Sequence, residues 1–447
     1  MYFCKVDGVF VEPPSVPYEE VRRVLGNFGS KLAERFSATP SSAEEVVEMY
    51  TGRKKTIYQQ ALERLQTFGV TRDDALISAF VKCEKVNVDK APRCIQPRKP
   101  VYNLAVGRYI KHIEHRLYNR IAQVFGDGPT VMKGYTVAGV ARVMKGKWDS
   151  FRRPVAVGLD ATKFDMHVCE GMLRWEHSIY EAIYNHSPEL KELLRWQREN
   201  RGVGYAEDGK LRYKVKGKRA SGDMNTALGN CIIMCAMIWT YAKERQVDVK
   251  LVNNGDDCVV FMEDTDLQRF SQGLSEWFLS LGFRMVVEPP AYDFERIEFC
   301  QMHPIFTGDE WIMVRNIKVA MEKDSMCIAD LDGEGLLKWM HAVGECGLAL
   351  TSGVPIMQSF YRAYMRNGKR GGNVANAVFM DTGMSRMRGE RESRFKHVLP
   401  EARLSVFKAW GITPDEQVAL EEYYDSWEFT PQVDIENYSS PEIFYVF

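Results

Sequence analysis

Two adjacent acids stand in the stretch LVNNGDDCVVFM, Leu251 to Met262, where short apolar runs flank a turn carrying Asp256 and Asp257. An Asn-Gly pair between strand-like runs signals a hairpin, because both residues accept the positive φ that a tight primed turn requires. Acids at such a tip are either ordinary turn groups or ligands for a divalent cation, and on this stretch alone the plainer account is the stronger. A third acid, Asp160, ends the apolar run VAVGLD, and Asp165 follows after ATKF. If Asp160 and Asp256 come from adjacent central strands, their oxygens could share two Mg²⁺ ions. Such ions lie about 3.5 to 4 Å apart and clamp both the attacking and the leaving oxygen of an in-line phosphoryl transfer. Mg²⁺ suits the task because few carboxylates hold it and substrate phosphates supply further ligands. Taken alone, Asp160 is equally an N-cap for the helical segment that follows it.

The loop SGDMNTALGN, Ser221 to Asn230, offers small and hydroxylated residues where a backbone can approach a nucleic-acid chain closely. Thr226 and Asn230 are four apart and share one helix face. Either this is a Ser-Gly turn capping a core helix, or Asn230, Ser221 and Asp165 form a network that reads a ribose 2′-hydroxyl, the group separating RNA from DNA.

These residues need a large frame, and the chain supplies one. Its 447 residues and 51.3 kDa exceed what a single growing core accommodates, so subdomains around a shared cleft are expected. Hydrophobic residues at 45% and charged residues at 27% argue against extensive disorder. The longest apolar run, Cys231 to Ala242, is too short to span a bilayer and reads as a buried helix. No signal or transit peptide opens the chain. Ten cysteines form no CxxC pair, and Cys231 and Cys235 have no nearby partners to complete a zinc site, so free thiols in a reducing cytosol are expected. The net charge of -1 hides a segregation: Lys82 to Arg153 carries 16 Lys or Arg against 5 acids, and Arg362 to Lys396 carries 9 against 3. Gly411 to Phe447 carries 9 acids and no Lys or Arg. Basic regions within a neutral whole suggest a channel for a polyanion; solvated helix faces are the other account.

Along the chain, a Pro-rich lead-in over 1–17 precedes helical periods at Tyr18 to Phe36, Ser42 to Tyr50 and Thr56 to Phe68, with Ser41 or Ser42 and Thr56 as N-caps. Thr71 opens a short helix to Val81. Lys82 to Pro100 has too many valines and prolines for a helix and reads as an extended basic ribbon. Helix returns over Arg108 to Phe125, and Gly126 to Arg153 is Gly-punctuated. A strand ends at Asp160, a helix covers Met166 to Asn185, and Lys210 to Gly217 alternates as a strand. A long apolar helix, Asn225 to Glu244, leads into the hairpin. Then come a helix (Leu267 to Leu281) and strands at Phe283 to Val287, Ile297 to Gln301 and Trp311 to Val314. Four further helices follow: Gly333 to Leu348, Pro355 to Arg366, Glu401 to Trp410 and Pro414 to Ser426. Strands in the middle with helices on both sides, and no internal repeat, predict an α+β core sheet packed on helices.

DATKFD, SGDMNTALGN and GDD, in this order and at these separations, resemble motifs A, B and C of viral RNA-directed RNA polymerases. The ribbon KCEK to PRCIQPR, with YTGRKKTIYQQAL upstream and EFCQM downstream, is similar to the tombusvirus and carmovirus family in particular, over about Tyr18 to Glu401. The resemblance implies an α+β right hand closed by finger extensions. Fingers with the lead-in and ribbon would take 1–154, a palm of antiparallel sheet on helices 155–314 with a fingers insertion near 186–220, and a mainly helical thumb with the acidic aromatic tail 315–447. It implies Asp160 and Asp256 as catalytic metal ligands, Asp257 as a supporting catalytic carboxylate at the metal, and two Mg²⁺ or Mn²⁺ ions. Asp165, Ser221, Thr226 and Asn230 would select the ribonucleotide. Lys82, Lys85, Arg93 and Arg98 of the ribbon, with Lys163 and Gly222, would contact triphosphate or RNA, a sensible use of cations against phosphate oxygens. Cys300 and Gln301, within Glu298 to Met302, would support the nascent 3′ end.

The implied activity is template-directed RNA synthesis from NTPs, started without a primer. The implied partners are RNA template, nascent RNA, NTPs, a viral membrane-anchoring replication protein and host factors, but not DNA. The implied place is the host cytoplasm, at membrane-associated replication complexes reached through another protein or a leader absent from this chain. One departure stands out: many such polymerases carry a Lys after motif C as the acid for pyrophosphate, yet Gly255 to Ile317 has none, which leaves Arg284, Arg296 or water. The acidic tail, with Trp427, Phe429, Phe444, Tyr445 and Phe447, either folds towards a basic channel as a nucleic-acid mimic or packs on the thumb. Two other functions compete: a non-catalytic RNA-binding scaffold, against which the intact acids speak, and a reverse transcriptase, which Asp165 and Asn230 disfavour.

Overall fold

The computed structural model describes residues 2–6, 8–84, 92–206, 209–329, 331–371 and 391–431. It is a mixed α+β chain in two compact units: Met1–Lys82, Ala91–Val131 and Val157–Pro289 form the first, and Cys83–Lys90, Met132–Ala156 and Pro290–Phe447 the second.

After the small N-terminal pair β1 (Cys4–Val6) and β2 (Val9–Val11), the first unit contains two four-stranded sheets. One joins β3 (Ile77–Val81), β4 (Cys94–Ile95), β6 (Glu199–Ala206) and β7 (Gly209–Lys216) in the order β4-β3-β6-β7, with β3 and β6 parallel. The other, which carries the acids, joins β5 (Pro154–Ala161), β8 (Lys250–Asn254), β9 (Asp257–Glu263) and β10 (Met285–Val287) in the order β10-β5-β9-β8. Val155, Ala156, Val157 and Leu159 of β5 are all buried, as an unbroken apolar run covered on both faces should be. The helix Thr226–Arg245 buries residues all round its circumference, which accounts for the apolar run read there. Ser42 caps Ala43–Glu48 through a capping box, whereas Thr56 lies inside the helix Gly52–Phe68.

Several boundaries differ from the sequence reading for local reasons. Arg108 to Phe125 is two helices, Pro100–Ile110 and Glu114–Phe125. Leu267 to Leu281 breaks into Leu267–Ser271 and Leu274–Ser280, because Gly273 takes a φ of 71° between them. Thr71 opens only a 3₁₀ turn, Arg72–Ala75, before β3 begins. Ile297 to Gln301 is not a strand. The helices Val137–Trp148 and Pro188–Arg198 arise where none was expected.

The second unit sets the antiparallel pair β11 (Met302–Phe306) and β12 (Trp311–Arg315) among helices that include Val137–Trp148, Gly333–Thr351, Met357–Asn367, Pro400–Trp410 and Pro414–Asp425. The rings of Trp427 and Phe429 of the acidic tail lie tilted, 4.4 Å apart centre to centre, and meet Tyr364 of the helix Met357–Asn367. Phe444, Tyr445 and Phe447 lie outside the described residues. Among the described residues no disulfide joins any of the ten cysteines. Among the described residues no helix is long and apolar enough to cross a membrane.

Candidate active site

The hairpin forms with Asn254 paired to Asp257, so its two central residues are Gly255 and Asp256 rather than Asn254 and Gly255. Only Gly255 has a positive φ, 93°, which matches a turn with glycine at its first central position. Buried Asn253 fixes this geometry. Its Nδ2 donates to the Gly255 carbonyl at 2.7 Å, and the Gly255 N–H donates back to Asn253 Oδ1 at 3.2 Å. Asp256 is thereby held exposed at the tip, while Asp257 begins β9 half-buried.

Asp160 reaches the same end of the sheet. It sits opposite Val286 of β10, and on the other side β5 neighbours β9. The Cys258 thiol donates to the Leu159 carbonyl at 3.6 Å, so the residues flanking each acid lie against one another. Desolvation first, then repulsion from Asp256, raises the pKa of Asp160 even though its side chain reaches water. Burial, then the charges of Asp257, Asp160, Asp256 and Glu288, push the Cys258 thiol well up. A field of this sign attracts a cation. Among the described residues no three His, Cys, Asp or Glu side chains form a ready metal cage. Two converging carboxylates open to solvent nonetheless fit Mg²⁺, which takes its remaining ligands from water and phosphate.

Behind the acids lies a closed polar network. Asn230 Nδ2 donates to Asp165 Oδ1 at 2.8 Å, and Arg219 Nε donates to Asn230 Oδ1 at 3.1 Å. The buried Arg219 guanidinium pairs with buried Glu176, which also accepts from Asn225 and Tyr180, each at 2.8 Å. A Cβ at Gly229 would fall 2.3 Å from Glu176, so the glycine makes room for this pair. Because Arg219 has only donors, Asn230 must turn its oxygen to Arg219 and its amide to Asp165. Burial is the main cause of a raised Asp165 pKa, which the Asn230 bond and Arg219 partly oppose.

The loop is tied to the ribbon. Ser221 Oγ accepts from Gln96 N at 3.1 Å, Thr226 donates its hydroxyl to Ala220 O at 2.9 Å, and Gly222 N donates to Gln96 O at 3.2 Å. Arg98 is buried: its guanidinium pairs with Asp223 and donates to the Ala75 carbonyl and to Asn200. Burial is the largest influence and works against its charge, but Asp223, Tyr102 and Tyr2 together outweigh it and its pKa is raised. Arg98 thus sits under the loop, with its fork already occupied.

The other named residues are scattered. Lys82 is half-buried at the end of β3, its N–H donating to Arg93 O at 2.8 Å, and Arg93 is exposed. Lys85 lies outside the described residues. Lys163 is exposed, with φ 49°, where the chain leaves β5. Cys300 and Gln301, in the second unit, form a two-residue turn with φ of 54° and 60°, closed by mutual bonds between Phe299 and Met302 of 2.9 and 3.0 Å. That matches the mirror-image turn usually reserved for Asn and Gly. Glu176, Arg219, Asp223, Asn200 and Asn253 were missed in the sequence.

The family model for viral RNA dependent RNA polymerase matches residues 3–432. Over 409 residues the chain is 45% identical to the RNA-directed RNA polymerase of Turnip crinkle virus, covering 90% of this chain and 52% of that protein. It is 42% identical over 434 residues to the enzyme of Tobacco necrosis virus (strain A), covering 93% and 59%, and 40% identical over 444 residues to that of Melon necrotic spot virus, covering 97% and 56%. The chain therefore spans a little over half the length of these relatives. With the acids, the loop and the ribbon all inside the matched span, the chain belongs to the viral RNA-dependent RNA polymerase family.

Proposed function

We propose that this chain copies an RNA template into RNA from NTPs by divalent-metal-assisted nucleotidyl transfer. The observation that carries this reading is the convergence of Asp160 and Asp256 at one end of the β5–β9 pair, with the Asp165–Asn230 pair attached to the same strand end. In the reaction the 3′-hydroxyl oxygen of the growing strand bonds to the α-phosphorus and the bond to pyrophosphate breaks. Two Mg²⁺ or Mn²⁺ ions, when bound, would stabilise the charge on the attacking and leaving oxygens. Asp160 and Asp256 would hold them, with Asp257 in support.

Asp165 presents one oxygen to Asn230, which leaves the other to accept from a ribose 2′-hydroxyl. Ser221 and Thr226 spend their hydroxyls on the ribbon and on Ala220, so they shape the loop that carries Asn230. Arg98 is a positioning residue in this scheme, holding ribbon and loop together through Asp223, and Lys82, Arg93 and Lys163 remain the cations for triphosphate. Arg284 is favoured as the charge beside departing pyrophosphate. Thr162 N donates to its carbonyl at 3.0 Å, next to Asp160, and its Nε is buried with no hydrogen-bond partner among the described residues. Arg296, by contrast, is engaged by Asp293 at 3.7 Å and the Lys408 carbonyl at 3.4 Å.

On this reading 1–154 are fingers, 155–314 palm and 315–447 thumb of a right hand. Primer-independent initiation, supported by Cys300 and Gln301 at the nascent end, is part of the proposal. So is work at cytoplasmic membranes through a viral anchoring protein and host factors.

The test supplies rNTPs or dNTPs on an RNA template, with and without Mg²⁺. Metal-dependent incorporation of rNTPs alone is expected. Incorporation of dNTPs would make the chain a reverse transcriptase, and none of either would make it an RNA-binding scaffold.

A further inference from the structure

The helix Glu170–Ile183 has two working faces. Glu176 turns into the Arg219 network, while Arg174, Ser178 and Glu181, at i, i+4 and i+7, form another face. Opposite stand Lys191, Arg195 and Arg198, in the same four-then-three spacing on the helix Pro188–Arg198. Together with Tyr18 these faces wall a cleft of about 520 Å³ in the first unit.

The charge in this cleft is unbalanced. Arg195 is paired with Glu192 at 2.6 Å, and Arg174 lies 3.9 Å from Glu170 with its guanidinium 4.6 Å from the centre of the Tyr18 ring. Lys191 and Arg198 have no ion pair among the described residues, and Arg198 Nε is buried with no hydrogen-bond partner. Burial depresses the Arg198 pKa. Glu170, Glu181 and Glu199 oppose that, and Arg174 adds to it. Cations near a helix C-terminus are ordinary in themselves, since they complement its dipole. That accounts for Arg195 and Arg198 as residue types. It does not account for a desolvated guanidinium facing a second arginine with a donor left unpaired, which is costly unless an acceptor arrives. Ser178 donates its hydroxyl to Trp175 O at 2.6 Å, so the cleft selects by charge.

We propose that this cleft is a second phosphate-binding site, separate from the carboxylates, that takes the phosphate of a free nucleotide or of single-stranded RNA. Arginine forks match phosphate oxygens, and the volume suits one nucleotide.

The test measures binding of ATP by calorimetry, and of a short oligouridylate by fluorescence anisotropy, to the full chain in EDTA. Without divalent metal the carboxylate site contributes little to either signal. The double variant Arg174→Gln/Arg198→Gln should weaken at least one probe on the order of tenfold. Loss confined to ATP identifies a free nucleotide, and loss confined to oligouridylate identifies a strand. A second double variant, Lys191→Gln/Arg195→Gln, alters only rim residues and should weaken the same probe less while leaving metal-dependent extension of a primed template unchanged. Unaltered affinity for both probes in either double variant overturns the proposal, as does a loss seen only in a variant that has also lost its fold.

Discussion

The two halves of the site are built on opposite principles. At the hairpin tip, Asp160 and Asp256 face solvent and repel one another; a few residues away, Asp165, Asn230, Arg219 and Glu176 are tied partner to partner away from water. The first arrangement is unfavourable until a cation arrives. The second is closed within itself except for one Asp165 oxygen, which is left over for substrate. Groups that must respond to substrate are left unsatisfied, whereas groups that must hold a shape are given every bond they can make.

The sharpest way to break this contrast is at the tip. Asp256→Asn should lower single-turnover extension by about a thousandfold or more, because a lost ligand removes charge stabilisation from the transition state. Normal extension would sink the assignment, and Asp257→Asn should cost less. Next comes the network. Arg219→Ala leaves Glu176 charged and buried, and urea denaturation should show a stability loss of about 3–5 kcal/mol. Arg98→Ala should behave alike through Asp223. If either costs no more than an exposed arginine, these pairs are not the frame.

Gly222→Ala probes the seam between ribbon and loop. A Cβ there would lie 2.5 Å from Pro97 Cα, backbone against backbone, so about 1–3 kcal/mol should be lost in the same denaturation. Asn230→Ala should mainly reduce the preference for rNTPs over dNTPs, by about tenfold in the ratio of kcat/KM values. An unchanged ratio would detach Asn230 from sugar selection.

The smallest effect is titrational. The folded pKa of Asp160 lies above its unfolded value, so the native state binds that proton more tightly. Without metal, stability should therefore decline as pH rises from the unfolded Asp pKa, about 3.9, through the raised folded value. Asp160→Asn should abolish this decline and raise the metal-free Tm at neutral pH by about a degree. A Tm that falls instead would mean that the tip is not strained by like charge.

Legibility in the sequence followed how far apart the partners are. The hairpin could be read because two apolar runs and a glycine sit within a dozen residues; even there the turn was placed one residue early, since Asn253 locks Gly255 through its side chain. The helix Val137–Trp148 was hidden by Gly139 and Gly146, although Thr136, which accepts from Gly139 N at 3.1 Å, is a readable cap. Ser187 before Pro188 was an equally plain start signal. No local pattern announces that Arg98 will meet Asp223 or that Arg219 will meet Glu176, because each pair is joined only by the folded chain. That is why the sequence alone groups Arg98 with the cations for triphosphate or RNA, whereas the fold engages it with Asp223 and the Ala75 carbonyl.

The strand order β10-β5-β9-β8 also constrains when this site can come into being. During synthesis β5 emerges first, yet both of its neighbours in the sheet, β9 and β10, are encoded far downstream, and β10 ends only at Val287. Asp160 must leave the ribosome long before Asp256 exists to oppose it. The nascent chain is thus without its carboxylate pair until the hairpin has been made, and a central strand left waiting is exposed to mispairing. Translation that stops short of β9 should give fragments unable to assemble the acid pair, however well their helices form.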